Sequence, residues 1–303
     1  MPQPKSKNPV TETDLFPDDA APSDAASTRA EYLHRSRSGY TKIRHAFVQE
    51  PPSTTRSGSR PAMLPAFARN HRAAVLYLAV LTNWTWLSRS GESLPADTWI
   101  RFLSSTKPGA LTWTPQSLSH AWSVLESCRL VTRTPDYRLR KVTPLRETGD
   151  GEPYTRPEGS SENLYFVLPH EFWTRELHAT LSWPALAVLL ILLKESNGRP
   201  WGELAVDRAQ KYYGISRTTA EEGLTELRKE GLLDSRTRYV TDHDAAEGRR
   251  QTSLHVLNDP FSMKYRQKLQ SEAQQRRKGS APKRPKKKKK KEVRSDEKPE
   301  TQE

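Results

Sequence analysis

Apolar residues recur every three or four positions over 70–86, 95–104, 114–127, 182–195, 204–213 and 217–230. That spacing predicts six helices, each with one face turned inward. β-Branched and aromatic residues cluster instead over 137–142, 164–168, 236–241 and 252–257, which predicts short strands. Between the first two lies 143–161, a loop rich in Gly, Pro and Glu. Neither end of the chain keeps a hydrophobic period. Residues 1–60 are expected to be disordered apart from a transient helix near 30–34, and 263–303 to be a largely disordered basic tail opening on a helix-permissive stretch at 263–277.

The pattern repeats once. Ser216 can cap a helix whose inward residues are Ala220, Leu224 and Leu227, followed by the apolar pair Leu232 and Leu233. Thr114 can cap another with Leu118, Trp122 and Leu125, followed by Leu130 and Val131. Measured from the cap, both series fall at +4, +8, +11, +16 and +17, so each places its apolar residues on one stripe. Pro115 stands at the first helical position, where a missing N–H costs nothing. Gly231, just past the second helix, suits a left-handed cap.

A long apolar segment and a shorter helix precede each of these helices, and two strands around a charged loop follow. Helix, helix, turn, helix and hairpin is the order of a winged helix. The fold expected is therefore mainly α with small antiparallel β-hairpins: two consecutive winged-helix domains, 61–170 and 171–262, between disordered tails. The stretch 214–233, Gly-Ile-Ser-Arg-Thr-Thr-Ala-Glu-Glu-Gly-Leu-Thr-Glu-Leu-Arg-Lys-Glu-Gly-Leu-Leu, resembles the recognition-helix segment of GntR-type bacterial winged-helix regulators. The tandem arrangement is similar to that of plasmid replication initiators, whose two winged-helix domains bind origin repeats.

The first resemblance implies DNA contact at Ser216, Arg217, Thr218 and Thr219. It departs from the family at Glu221, where a basic residue is frequent, and Glu221 with Glu222 would repel phosphates unless they accept from cytosine amino groups. Opposite the apolar stripe, Thr218, Glu222, Thr225 and Lys229 face outward by spacing, as a reading helix requires. The first helix presents Gln116, His120, Ser123 and Ser127, and Gln can pair with adenine through two hydrogen bonds. The alternative for that helix is a structural or dimer-forming copy. Arg138, Arg140, Lys141 and Arg146 in one hairpin, and Arg236, Arg238, Arg249 and Arg250 in the other, can neutralise phosphates or serve as ordinary solvated side chains.

Composition narrows the partner. The 303 residues carry a net charge of +13, which favours a polyanion, either nucleic acid or an anionic membrane surface. Only 34% are hydrophobic, so a good part of the chain is expected outside any packed core. The lysine run 286–291 reads as a non-specific DNA clamp, with a nuclear address or a solubilising end as alternatives. Trp84, Trp86, Trp99, Trp113, Trp173, Trp183 and Trp201 border apolar stripes, so core packing is preferred over stacking on unpaired bases. Cys128, the one cysteine, sits among apolar residues and reads as a core residue.

Catalytic signatures are missing from the sequence. It holds no G-x-x-x-x-G-K-[ST], no G-x-S-x-G, no His-x-His pair between apolar residues and no metal-ligand spacing, with His243 and His255 far apart. Asp242, His243 and Asp244 fall where a hairpin loop is expected. No enzyme, cofactor or metal is expected. The function expected is sequence-specific binding of double-stranded DNA, as a replication initiator of a plasmid or other mobile element, with a promoter-binding regulator as the alternative and partner recruitment through protein-binding winged helices as a third. Partners would be DNA, host replication or transcription proteins and a second copy as a homodimer. The expected location is the cytoplasm, at the nucleoid, with no membrane association, since the apolar run 185–193 is too short to span a bilayer.

Overall fold

The computed structural model describes residues 21–50, 60–160 and 163–280, and shows a mixture of helices and small antiparallel sheets. At its centre are two apolar helices, α3 (His71–Ser90) and α8 (Trp183–Glu195), counted from α1 (Ala25–Ser36) and α2 (His45–Val48). Residues 73–83 of α3 and 185–193 of α8 are buried on every side, as a helix lacking a polar face must be. Gly91, in the left-handed region, ends α3, and Ser182 caps α8. One continuous hydrophobic core runs from Leu33 to Phe261. The boundary expected near residue 170 therefore does not divide two cores.

Helix α4 (Ala96–Leu103) and helix α5 (Pro115–Ser127) follow α3. The short helices α6 (Glu171–Thr174) and α7 (Leu177–Thr180) precede α8, and α9 (Ala209–Tyr213) and α10 (Arg217–Lys229) follow it. Only part of the helix expected over 204–213 forms, as a 3-10 turn at Val206–Arg208 leading into α9. The repeat read from the sequence recurs in the backbone. Thr114 and Ser117 form a reciprocal capping box at the start of α5, and Ser216 accepts from the Thr219 N–H at 3.0 Å at the start of α10. Both helices end in a Schellman turn: the Leu130 N–H reaches Leu125 O and the Leu232 N–H reaches Leu227 O, each at 2.9 Å. The left-handed residue is Gly231 in one case and Arg129 (φ 54°) in the other.

Strand β4 (Val131–Asp136), after β1 (Tyr40–Arg44), β2 (Gln49–Glu50) and β3 (Arg60–Pro61), pairs with β5 (Leu139–Pro144) around a turn at Tyr137 and Arg138. The first hairpin thus begins six residues earlier than the strand expected at 137–142. The strand expected at 164–168 is β6 (Tyr165–Pro169), and it does not return to that hairpin. It pairs with β1, Thr41 opposite Leu168. Phe166, Val167, Leu168 and Pro169 are all buried, so the strand needs cover on both faces, which a wing cannot give. In the second half, β8 (Leu233–Thr241) and β9 (Arg249–Leu257) form a long hairpin, with β7 (Gly202–Glu203) on the other edge of β9.

Both ends expected to be disordered contribute described structure. Within 21–50, Ile43, Phe47 and Val48 are fully buried, and Arg44 is sealed in the core with Glu147. Helix α11 (Met263–Ser280) lays Leu269 and Ala273 against Tyr40 and Val167. Arg266 holds it in place, donating to Phe261 O, Leu193 O and both oxygens of Ser196, so that a buried cation meets the C-terminal carbonyls of α8. These contacts join segments far apart in sequence, which local periodicity cannot register. Residues 1–20 and the lysine run 286–291 lie outside the described residues.

Candidate nucleic-acid interface

Helix α5 buries Leu118, Ala121, Trp122 and Leu125 and leaves Gln116, Ser119, His120, Ser123 and Ser127 exposed. Its outer face is thus short, polar and uncharged. The one carboxylate on the helix, Glu126, is held bidentately by Arg133 at 2.9 and 2.7 Å, and that pairing lowers its pKa. Arg69 and Arg72 border a groove of about 240 Å³ with Ser117 and His120 on one side of α5. On its other side Arg138 and Arg140 border a cavity of about 230 Å³ with Ser119 and Trp122. Arg138, Arg140 and Lys141 are exposed and take part in no ion pair among the described residues. The structure thus gathers the candidates of the first half, Gln116, His120, Ser123, Arg138, Arg140 and Lys141, onto one helix and its adjoining hairpin. Arg146 lies apart from them, 3.5 Å from Asp150.

Helix α10 presents a different surface. Ala220, Gly223, Leu224 and Leu227 face α8, and Gly223 allows the closest approach: a Cβ there would stand 2.3 Å from the Pro184 carbonyl oxygen. Glu226 accepts from the Ser182 N–H and hydroxyl, tying the same two helices together. Outside lie Arg217, Thr218, Thr225 and Lys229, with Glu221, Glu222 and Glu230 among them. Arg217 is 68% exposed but engaged twice, 2.9 Å from Asp207 and 2.9 Å from Glu221, and the Glu221 hydrogen bond raises its pKa. Ser216 and Thr219 bond to each other at 2.8 Å, and the Thr225 hydroxyl donates to Glu221 O.

In the second hairpin, Arg236 and Arg238 are exposed on β8 without an ion pair among the described residues. Arg249 lies 3.5 Å from Glu247 and over the Tyr239 ring, and Arg250 lies 3.8 Å from Asp242. Asp242, His243 and Asp244 fall in the connecting loop, where an Asp242 oxygen accepts from the Asp244 N–H. Among the described residues, no three or more His, Cys, Asp or Glu side chains are grouped as a metal site.

Trp99, Trp113, Trp173 and Trp183 are buried in the core, while Trp84 and Trp86 pack against it half-buried. Sequence reasoning did not find Arg69 and Arg72. The signal was there, two arginines flanking the start of α3, but only the packing of α3 on α5 sets them beside His120. Among the described residues no helix is long and apolar enough to cross a membrane. No family model matches the chain, and no curated protein or solved structure matches it either.

Proposed function

We propose that this protein binds double-stranded DNA sequence-specifically through two winged-helix units, with α5 as the principal reading helix. One observation carries the reading. The exposed row Gln116, Ser119, His120 and Ser123 lacks an unpaired carboxylate and lies between Arg69 and Arg72 on one side and Arg138 and Arg140 on the other. Short polar side chains can reach base edges in the major groove, and flanking guanidiniums can hold the two phosphate backbones. The winged-helix assignment is supported by the order α8, β7, α9, α10, β8, β9 with β9 central in its sheet. The first unit, α3, α4, α5, β4 and β5, repeats that order without the third strand.

In this reading α10 anchors its unit, and that unit contacts DNA mainly through Arg236 and Arg238 on the wing, because Glu221, Glu222 and Glu230 oppose phosphate approach at α10. Two units built on one core hold their helices at a fixed separation, which suits a long or repeated site. We therefore assign the protein as a replication initiator of a plasmid or similar mobile element, binding origin repeats. Selection of bound fragments from the source's total DNA, at near-physiological salt, tests this directly. Enrichment of a repeat array beside an origin is expected. Scattered promoter palindromes would make it a transcriptional regulator instead, and no enrichment over random DNA would overturn sequence reading altogether.

A further inference from the structure

A strongly basic concavity lies outside the outer surfaces of α5 and α10. It encloses about 730 Å³ between the C-terminal end of α1, the last turns of α3, the loop ahead of β6 and the outer half of α11. Arg37, Arg89, Arg156, Arg276 and Arg277 line it, and no Asp or Glu does. The ion pairs among the described residues leave Arg37, Arg89, Arg156 and Arg277 without a carboxylate. Behind the wall, Lys42 donates to Pro157 O at 2.8 Å and sits over the Tyr165 ring. Its pKa falls to about 8, through burial first and then the fields of Arg156 and Arg277, with Glu158 acting the other way.

Cations gathered in this way repel one another, and four separate chain segments converge to hold them there. Planar guanidinium forks match the oxygens of phosphate groups. The space exceeds what a single phosphate fills. We propose that this cleft is a phosphate-binding site that takes the sugar–phosphate backbone of DNA beyond the reading helix α5. The phosphate chemistry stands on the cleft itself, whereas DNA as its source rests on the function proposed above. Two observations favour that source. Arg89 lies in the last turn of α3, and four residues on, Ser93 bonds to Asp136 at the turn of the first hairpin, so cleft and hairpin adjoin the same end of α3. In the sequence, α11 is followed by Lys283, Arg284 and the lysines at 286–291.

The test compares the full chain with its R156Q/R277Q variant, using R156K/R277K as the charge-preserving control. Titrations with a long duplex at several salt concentrations should show the magnitude of the log K against log salt slope falling by about 2 in the Gln variant, at roughly 0.9 per lost phosphate contact. Sequence preference should stay unchanged and the Lys variant should keep the slope. Calorimetry with inorganic pyrophosphate and ATP distinguishes the other source. Binding of either by the wild type, lost in the Gln variant with the DNA slope intact, would keep the phosphate site and overturn DNA as its occupant. An unchanged slope together with no binding of pyrophosphate or ATP would overturn the proposal. Failure of the reading-helix assignment is a separate result: a Q116A variant that keeps full sequence preference.

Discussion

Arg44 on β1 donates its guanidinium to the carboxylate of Glu147, 103 positions later, and neither side chain is more than 1% exposed. The same arginine bonds to Asn163 Oδ1 at 3.0 Å and to the Thr155 hydroxyl at 2.8 Å, and lies over the Tyr154 ring. One side chain from the N-terminal segment thus organises the long loop that follows the first hairpin. Glu147→Ala leaves that cation buried without its counter-ion, so a loss of about 3–5 kcal/mol in urea unfolding is expected. A loss under 1 kcal/mol would show that water enters and replaces the pair.

Contact between α10 and α8 depends on the missing side chain of Gly223. Alanine would drive its Cβ into the Pro184 carbonyl and the Val188 side chain. Gly223→Ala is expected to destabilise by about 1–3 kcal/mol, despite the better helix propensity of Ala. Thermal unfolding checks this, and an unchanged or raised midpoint would contradict the packing.

Arg129 occupies the left-handed cap position that Gly231 fills in the second unit. Arg129→Gly should relieve strain of about 1 kcal/mol, part of which the greater freedom of glycine in the unfolded chain offsets. A small rise in the unfolding midpoint is expected. A fall would mean that contacts of the arginine stem outweigh its backbone conformation.

Five histidines are held neutral by burial. His170 and His178 have pKa values lowered to about 3, and His45, His71 and His255 to about 4. The unfolded chain binds protons near the ordinary value of about 6.5, where the folded chain does not. Stability from these groups is therefore complete above pH ~6.5 and is lost progressively as pH falls toward the folded values of 4 and 3. Urea midpoints measured from pH 7.5 down to 4.5 should decline steadily. A flat profile would show that these rings are solvated.

Under the proposed function, α5 and α10 should respond differently to substitution. Gln116→Ala or His120→Ala is expected to cost about 1–3 kcal/mol of discrimination between the selected site and its single-base variants. Arg217→Ala should cost less, because Asp207 and Glu221 already neutralise that guanidinium. Competition binding at fixed salt separates these cases, and a greater loss for Arg217→Ala would return the reading role to α10.

Much of the local structure was legible in the sequence, for a physical reason. Caps at Thr114 and Ser216, the apolar stripes behind them and the left-handed cap at Gly231 are set by neighbours within about one or two helical turns, and such interactions repeat with the chain's own period. That is why helices α5 and α10 stand where their spacing placed them. The partner of a strand is another matter. Nothing within β6 distinguishes pairing with the first hairpin from pairing with β1, because its apolar residues suit any covered position. Residues 21–50 lack periodicity, yet Phe47 and Arg44 find their places against α3 and Glu147.

The candidate interface divides along the same line. Which side chains point outward from α5 and α10 follows from helical spacing alone. Whether those side chains remain available does not. Only the tertiary structure pairs Arg217 with Asp207, sets Arg69 and Arg72 beside His120, and draws Arg37, Arg89, Arg156 and Arg277 from four segments into one cleft. Charge acts through space rather than along the chain, so the sequence determined the helices and their faces, and the packing decided which of those faces a phosphate can approach.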